Sequence, residues 1–214
     1  MKELSIDNEQ RKKIIEATLM SASQTFNVDQ LLKLFADDTH EVTRDEIKVI
    51  VQSLQEDCQG RGYELKKVAS GFRYQTREEM QPWVDKLRPE RAPRYSRAFM
   101  ETLALVVYKQ PITRAEIEDV RGVAVSSSIF KVLLEREWVK IIGHKEVPGR
   151  PAMYGTTRKL LDYFNLSSLN ELPDLAEIKD IDDIAPELAL IVNEEIPEQQ
   201  QIESMDPPPG ETHH

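Results

Sequence analysis

From Arg11 to Ser23 the apolar residues Ile14, Ile15, Leu19 and Met20 fall at helical spacing, which predicts an amphipathic first helix. Asn27-Val28-Asp29-Gln30 then places an N-cap residue three positions before a reciprocal Gln, and Leu31, Leu32, Leu34 and Phe35 predict a short second helix. Asp37-Asp38-Thr39-His40 breaks it. Thr43-Arg44-Asp45-Glu46 is a full capping box, and Ile47, Ile50, Val51 and Leu54 stripe a third helix that ends near Gly60. Two strand-like runs follow, Tyr63 to Ala69 and Phe72 to Thr76, around Ser70-Gly71, read as a two-residue turn with Gly supplying a positive φ.

The same order returns after the basic joint Arg88-Pro89-Glu90-Arg91-Ala92-Pro93-Arg94. Phe99, Leu103, Val106 and Val107 stripe a helix that begins after Ser96 and stops at Pro111. Thr113-Arg114-Ala115-Glu116 is a second capping box, opening a short helix with Ile117 and Val120 that Gly122 terminates. Ile129, Val132 and Leu133 mark a third helix. Trp138 to Val147 and Met153 to Thr156 then read as strands around Pro148-Gly149-Arg150-Pro151, and Arg158 to Asn165 as a closing helix. Three short helices and a hairpin make the winged-helix order. Its recurrence at an offset of about 86 residues, Asn27 against Thr113 and Leu31 against Ile117, argues for a tandem. The expected fold class is therefore α+β, mainly helical: two tandem winged-helix domains, 1–88 and 94–170, followed by an acidic tail over 175–214.

Charge sharpens that division. The net charge of −10 over 214 residues resolves into −2 for residues 1–93, +4 for 94–170 and −12 for 171–214. An acidic, Pro-punctuated, aromatic-free tail buries too little apolar surface to offset its ordering entropy, so it is expected to be flexible, although Ile178, Ile181, Ile184 and Leu188 have loosely helical spacing. The longest apolar run, Leu103 to Tyr108, is far too short to span a bilayer, and the first residues lack a secretory pattern, so the chain is expected to stay in the cytoplasm. The single cysteine, Cys58, permits no internal disulfide and reads as a half-buried inert thiol on a helix.

Catalytic chemistry finds no foothold in this pattern. Of four histidines, His40 lies in a loop, His144 on a wing strand, and His213 and His214 at the end, with no paired spacing for a metal. Gly149 lacks the glycine series and terminal Lys that cradle phosphates, and Asp182-Asp183 sits in the tail, where nothing desolvates it. No catalytic residue, cofactor or metal ligand is assigned. Two classes remain, a winged-helix DNA-binding transcription regulator or a protein-binding module. A base-reading helix wants exposed cations, yet 125–136 offers only Lys131 and Arg136, and Asp45 and Glu46 oppose Arg44 and Lys48 in the first domain. The wing cations Lys140, Lys145, Arg150, Arg158 and Lys159 are the best remaining case for a DNA backbone. Protein binding fits more simply: Phe99 and Trp138 read as core, Tyr108 and Tyr154 as aromatic area next to polar turns.

Glu101-Thr102-Leu103-Ala104, Gln110-Pro111-Ile112-Thr113-Arg114-Ala115-Glu116-Ile117, Arg121-Gly122-Val123, Leu133-Leu134-Glu135-Arg136, Val147-Pro148-Gly149-Arg150-Pro151 and Tyr154-Gly155-Thr156-Thr157 follow one another in an order that resembles the bacterial segregation and condensation protein B family. The likeness continues through Tyr163-Phe164, Leu169 and Leu172-Pro173, and in the first half through Gly71-Phe72-Arg73-Tyr74-Gln75-Thr76-Arg77, covering about residues 11–175. Ala124-Val125-Ser126-Ser127-Ser128 and Glu137-Trp138 depart from the family pattern beside the second helix-turn-helix. The resemblance implies two winged-helix domains without enzymatic activity, a homodimer formed chiefly through the N-terminal domain, and binding to the kleisin ScpA that bridges an SMC ATPase. It implies a nucleoid-associated role in chromosome condensation and segregation, with DNA contacted indirectly or weakly. On that footing the kleisin is expected near Tyr108, Pro111, Arg121, Arg150 and Tyr154, and the dimer contact around Leu54, Tyr63 and Phe72.

Overall fold

The computed structural model describes residues 7–36, 42–87 and 95–173. The breaker at 37–40 with His40, the joint 88–94, and the tail 175–214 with Asp182, Asp183, His213 and His214 lie outside the described residues. Two compact units separate. The first runs to residue 87 and includes Thr157–Glu171, and the second covers 95–156 together with Leu172 and Pro173.

In the first unit, Asp7 caps helix α1 (Asn8–Ser21) by accepting from the Gln10 N–H. Asn27 and Gln30 close a capping box on α2 (Val28–Leu32), which tightens into a 3₁₀ turn at Lys33–Phe35. Thr43 and Glu46 do the same for α3 (Arg44–Asp57). These helices bury Ile15, Leu19, Leu31, Phe35, Ile47, Val51 and Leu54 against one another. Each such side chain contributes about 1.5–3 kcal/mol. Met20, assigned to the apolar face of α1, is 54% exposed and lies off the buried stripe. Cys58 is fully buried rather than half-buried, and its thiol donates to the Leu54 carbonyl at 3.1 Å. Burial pushes that thiol's pKa up, consistent with an unreactive sulfur.

The hairpin β1 (Tyr63–Val68) and β2 (Gly71–Thr76) pairs Val68 with Gly71, so the turn is Ala69-Ser70 and Gly71 belongs to the strand. Gly71 has the expected positive φ, and a second constraint adds to it. At φ 148 a Cβ would stand 2.4 Å from the Phe26 carbonyl, because Phe26 bridges antiparallel to Phe72. The turn is also tied down: Ala69 N–H donates to the Leu166 carbonyl and Ser70 N–H to Asp162, each at 2.9 Å. Arg73 donates to the Asp162 carbonyl at 2.9 Å and to Asn165 Oδ1 at 2.6 Å. Helix α8 (Arg158–Tyr163) therefore groups with the first unit, whereas the sequence reading had it close the second. These bonds are long-range and polar, so no apolar periodicity announces them. After β2 the chain makes a 3₁₀ turn, Glu78–Met80, and a short helix α4 (Gln81–Val84), neither of which the sequence pattern predicted.

In the second unit Ser96 caps α5 (Arg97–Lys109), and the Thr113–Glu116 capping box opens α6 (Arg114–Arg121), which Gly122 ends at φ 71. Helix α7 (Ser127–Glu135) leads into β4 (Val139–His144) and β5 (Ala152–Thr156). A two-residue strand that the pattern did not predict, β3 (Ile112–Thr113), joins β5, giving the order β3-β5-β4. Ile112 stands at the equivalent of Phe26: both immediately precede an N-cap and both bridge to the wing. Leu103, Val106, Ile117, Val125 and Leu133 are buried, and Phe99, Tyr95 and Trp138 form an aromatic cluster, with Tyr95 and Phe99 stacked at 4.9 Å. Val120, in contrast, is 52% exposed.

Candidate functional site

Polar side chains in the second unit are mostly committed to holding its own elements. Arg114 donates to Glu118 at 2.9 Å, to Ser127 at 3.2 Å and to the Val125 carbonyl, latching α6 to the start of α7. Glu118 accepts from the Val125 N–H at 2.9 Å, and that bond, with Arg114 beside it, holds its carboxyl below the ordinary range. Glu116 accepts from Lys145 at 2.5 Å and caps Thr113, which lowers its pKa to about 2, the Lys145 hydrogen bond being the largest cause. The pair ties the wing to α6. Glu116 was legible as the third residue of a capping box, but its long-range partner Lys145 was not.

The face that a DNA reader would use is spent in the same way. On α7, Lys131 approaches Glu135 at 3.8 Å, and the Arg136 guanidinium lies 5.4 Å from both the Tyr95 and Trp138 rings. On α3, Arg44 pairs with Asp29 and Lys48 with Asp45, each at 2.8 Å. Arg158 and Lys159, counted as wing cations from the sequence, belong to α8 in the first unit. Among the described residues, no group of three His, Cys, Asp or Glu side chains is arranged to hold a metal ion.

The five residues expected at the partner surface separate into two sets. Arg121 is a structural pin: its side chain is only 10% exposed and contacts Glu101 at 3.2–3.3 Å, joining α6 to α5. Tyr108, at the end of α5, donates its hydroxyl to the Pro173 carbonyl at 2.9 Å. Pro111 is exposed and follows Gln110, whose side-chain oxygen accepts from the Thr156 N–H at 2.8 Å and its hydroxyl at 3.0 Å. Tyr154 lies half-buried on β5, opposite Ile112 and Ile141, with its ring 4.6 Å from Phe130. Pro111 and Tyr154 are thus brought together by the β3–β5 pairing. Arg150 stands exposed in the wing turn at φ 39, where its N–H closes the turn onto the Val147 carbonyl at 2.9 Å. Its guanidinium has no hydrogen bond or ion pair with the described residues. The structure adds a feature that the pattern did not flag. Among the described residues, strand β4 is an edge of its sheet, and it carries Ile141 at 50% and Ile142 at 47% exposure around a bulge. The strand reading of Trp138–Val147 could not say which of its residues the sheet would leave uncovered.

The residues expected at a dimer contact fare differently. Leu54 is 1% exposed and belongs to the core of the first unit, so it has no area left for a partner. Its place in the α3 stripe at helical spacing already pointed inward. Tyr63 and Phe72 are partly buried and packed on that core, Tyr63 edge-on to Tyr74 at 5.8 Å.

The family model described as segregation and condensation complex subunit ScpB matches residues 13–175. A segregation and condensation protein B homolog of Coxiella burnetii is 47% identical over 191 residues, covering 87% of this chain and 91% of that protein. Segregation and condensation protein B of Syntrophotalea carbinolica is 39% identical over 176 residues, covering 82% and 87%. A crystal structure described as a dimer of ScpB N-terminal domain complexed with ScpA peptide is 29% identical, covers 37% of this chain and 95% of that one, and has a TM-score of 0.33. With a family model spanning three quarters of its length and relatives this similar over most of theirs, the chain belongs to the segregation and condensation complex subunit ScpB family.

Proposed function

We propose that this chain is a non-enzymatic accessory subunit of an SMC–kleisin complex, that it forms a homodimer through its first unit, and that its second unit grips an extended segment of the kleisin ScpA. Family membership supports the assembly, and the wing of the second unit supports the place. The observation that carries the placement is Arg150, a non-glycine residue held exposed at positive φ with no described partner for its guanidinium. Backbone strain of this kind costs on the order of 1 kcal/mol and persists where function uses it. A planar guanidinium fits a carboxylate with two parallel hydrogen bonds. The edge of β4, with Ile141 and Ile142, and the stiff Pro111 offer apolar contact and backbone groups to an added strand, and little freedom is lost in ordering them.

Purified ScpA, mixed with the full chain, tests the reading. Arg150→Ala should lower affinity by at least tenfold, about 1.4 kcal/mol, with the melting curve unchanged. Equal affinity in wild type and variant would remove Arg150 from the interface. A tagged pull-down from native lysate that returns the kleisin and its SMC ATPase supports the assembly. Retention of defined promoter fragments in a salt-sensitive manner would instead support a transcription regulator.

A further inference from the structure

The first unit ends in an apolar stripe that nothing described covers. Met80, Trp83, Val84 and Leu87 recur at the three- and four-residue spacing of one helix face across the 3₁₀ turn Glu78–Met80, helix α4 and the turn after it. Trp83 is 63% exposed, Leu87 82% and Met80 39%. The segment is nonetheless held firmly at its start. The Arg77 N–H donates to the Gly62 carbonyl at 3.0 Å, and its side chain donates to the Arg61 carbonyl at 3.0 Å and the Cys58 carbonyl at 3.2 Å. Within the segment, Met80 N–H returns to the Arg77 carbonyl and Leu87 N–H to the Val84 carbonyl, each at 2.9 Å. A fixed backbone therefore presents a wet tryptophan and a wet leucine, an arrangement that costs solvation in the free chain and favours association.

We infer that this stripe is the contact by which two copies of the chain pair through their first units, antiparallel across a twofold axis. The inference rests on the dimer reading above and gives it a location. Self-pairing is favoured by charge. Glu78 and Glu79 stand exposed at one end of the stripe and Lys86 at the other, and none of the three is in an ion pair with a described residue. In a twofold contact the same patch meets itself reversed, so each acidic end faces the partner's Lys86. Area agrees with a second copy as the occupant. The stripe exposes on the order of 400 Å² of side chain, a value at the scale of a monomer's largest apolar patch. Doubled by symmetry it supplies about half of a standard 1,600 Å² interface, as its apolar centre.

Sedimentation of the full chain at tens of micromolar, with Trp fluorescence on dilution, provides the test. Trp138 is 2% exposed, so quenching by iodide reports Trp83. The expected result is a wild-type dimer whose Trp83 becomes quenchable on dilution, and a dissociation constant raised at least about 30-fold in Trp83→Ala or Leu87→Asp, with unchanged circular dichroism. Glu79→Lys should weaken pairing, and the double variant Glu79→Lys, Lys86→Glu should restore it, which a folding defect would not do. A wild-type dimer that survives Trp83→Ala and Leu87→Asp unchanged overturns the inference and leaves the dimer reading standing. A wild type monomeric throughout rejects the dimer reading, and quencher-shielded Trp83 in a monomer rejects the stripe as a free surface.

Discussion

The two units share one plan and differ in what they do with the wing. Each opens with a capped helix, places a single bridging residue before the next N-cap, Phe26 or Ile112, and ends in an antiparallel hairpin. The first hairpin turns in two residues, is pressed by the Phe26 backbone and is bonded at its tip to Asp162 and Leu166. The second turns through 145–151, all but its last residue exposed. Identical local signals thus produce a tethered wing in one case and a presented wing in the other. The difference lies in long-range polar contacts and in turn length.

A methyl group added to one glycine of each wing, Gly71 in the strand of the first and Gly149 in the turn of the second, should separate the two most strongly. In Gly71→Ala the new Cβ would meet Phe26 backbone atoms at 2.4–2.6 Å, which only a backbone shift can relieve. A loss of about 3 kcal/mol or more is expected, enough to unfold much of the first unit at 37 °C. In Gly149→Ala nothing lies within 4 Å and only φ 84 opposes the change. That variant should lose about 1 kcal/mol. Thermal melts of the two variants, followed by circular dichroism, separate a wing built into its unit from one standing clear of it. Equal losses would abolish the distinction.

Helix signals are alike in both units, so capping variants should hurt them alike. Thr43→Ala and Thr113→Ala each remove an N-cap hydroxyl whose carboxylate partner also bonds the cap N–H. Each should cost about 1 kcal/mol, or a few degrees in Tm. A tenfold disparity in equilibrium constant between them would show that one box is incidental.

Those boxes explain how much of the fold was legible. Asn27, Thr43 and Thr113 announce helix starts because the capping bond is local, and Ile47, Ile50, Val51 and Leu54 announce a buried face because periodicity is local too. Gly71 was assigned to the turn because the clash that selects it comes from Phe26, 45 positions away. Helix α8 was given to the wrong unit for a similar reason, since Asp162 to Ser70 is a contact across 92 positions. For the site, Tyr108, Pro111, Arg150 and Tyr154 are exposed or half-buried, whereas Arg121 is claimed by Glu101 and Leu54 by the core. Residue type alone does not say whether an arginine points at a partner or at its own helix. The stripe through Trp83 escaped because four helical residues are too few for a periodic signal.

Glu116 gives a smaller, pH-dependent test of the link between wing and helix. Its pKa is lowered to about 2 from 4.5 by Lys145 and the Thr113 cap. A lowered folded-state pKa means the stabilisation is present above about pH 4.5 and is lost as the pH falls toward 2. Both side chains of the pair are 40–46% exposed, so screening keeps the effect below about 1 kcal/mol. Glu116→Gln should flatten the decline of Tm between pH 4.5 and pH 2, and salt should do so in part for the wild type. An unchanged acid limb would mean that Lys145 floats free and the second wing is unattached at both ends.

Arg150 should have the smallest effect on stability and the clearest effect on binding. Its φ of 39 is a conformation that glycine adopts without cost, and its side chain is exposed. Arg150→Gly should therefore raise Tm slightly, by the equivalent of about 0.5–1 kcal/mol. Arg150→Ala keeps the strain and removes only solvent-exposed atoms, so its stability should stay within about 0.5 kcal/mol of wild type. If the second wing is the presented one, both variants lose kleisin affinity although one gains stability, because the guanidinium is needed and the backbone shape is not. The corresponding change in the first wing, Arg73→Ala, removes bonds to Asp162 and Asn165 and should lower Tm with kleisin affinity intact. A side chain that matters for binding but not folding in one hairpin, and for folding but not binding in the other, is what a presented wing and a tethered wing each require.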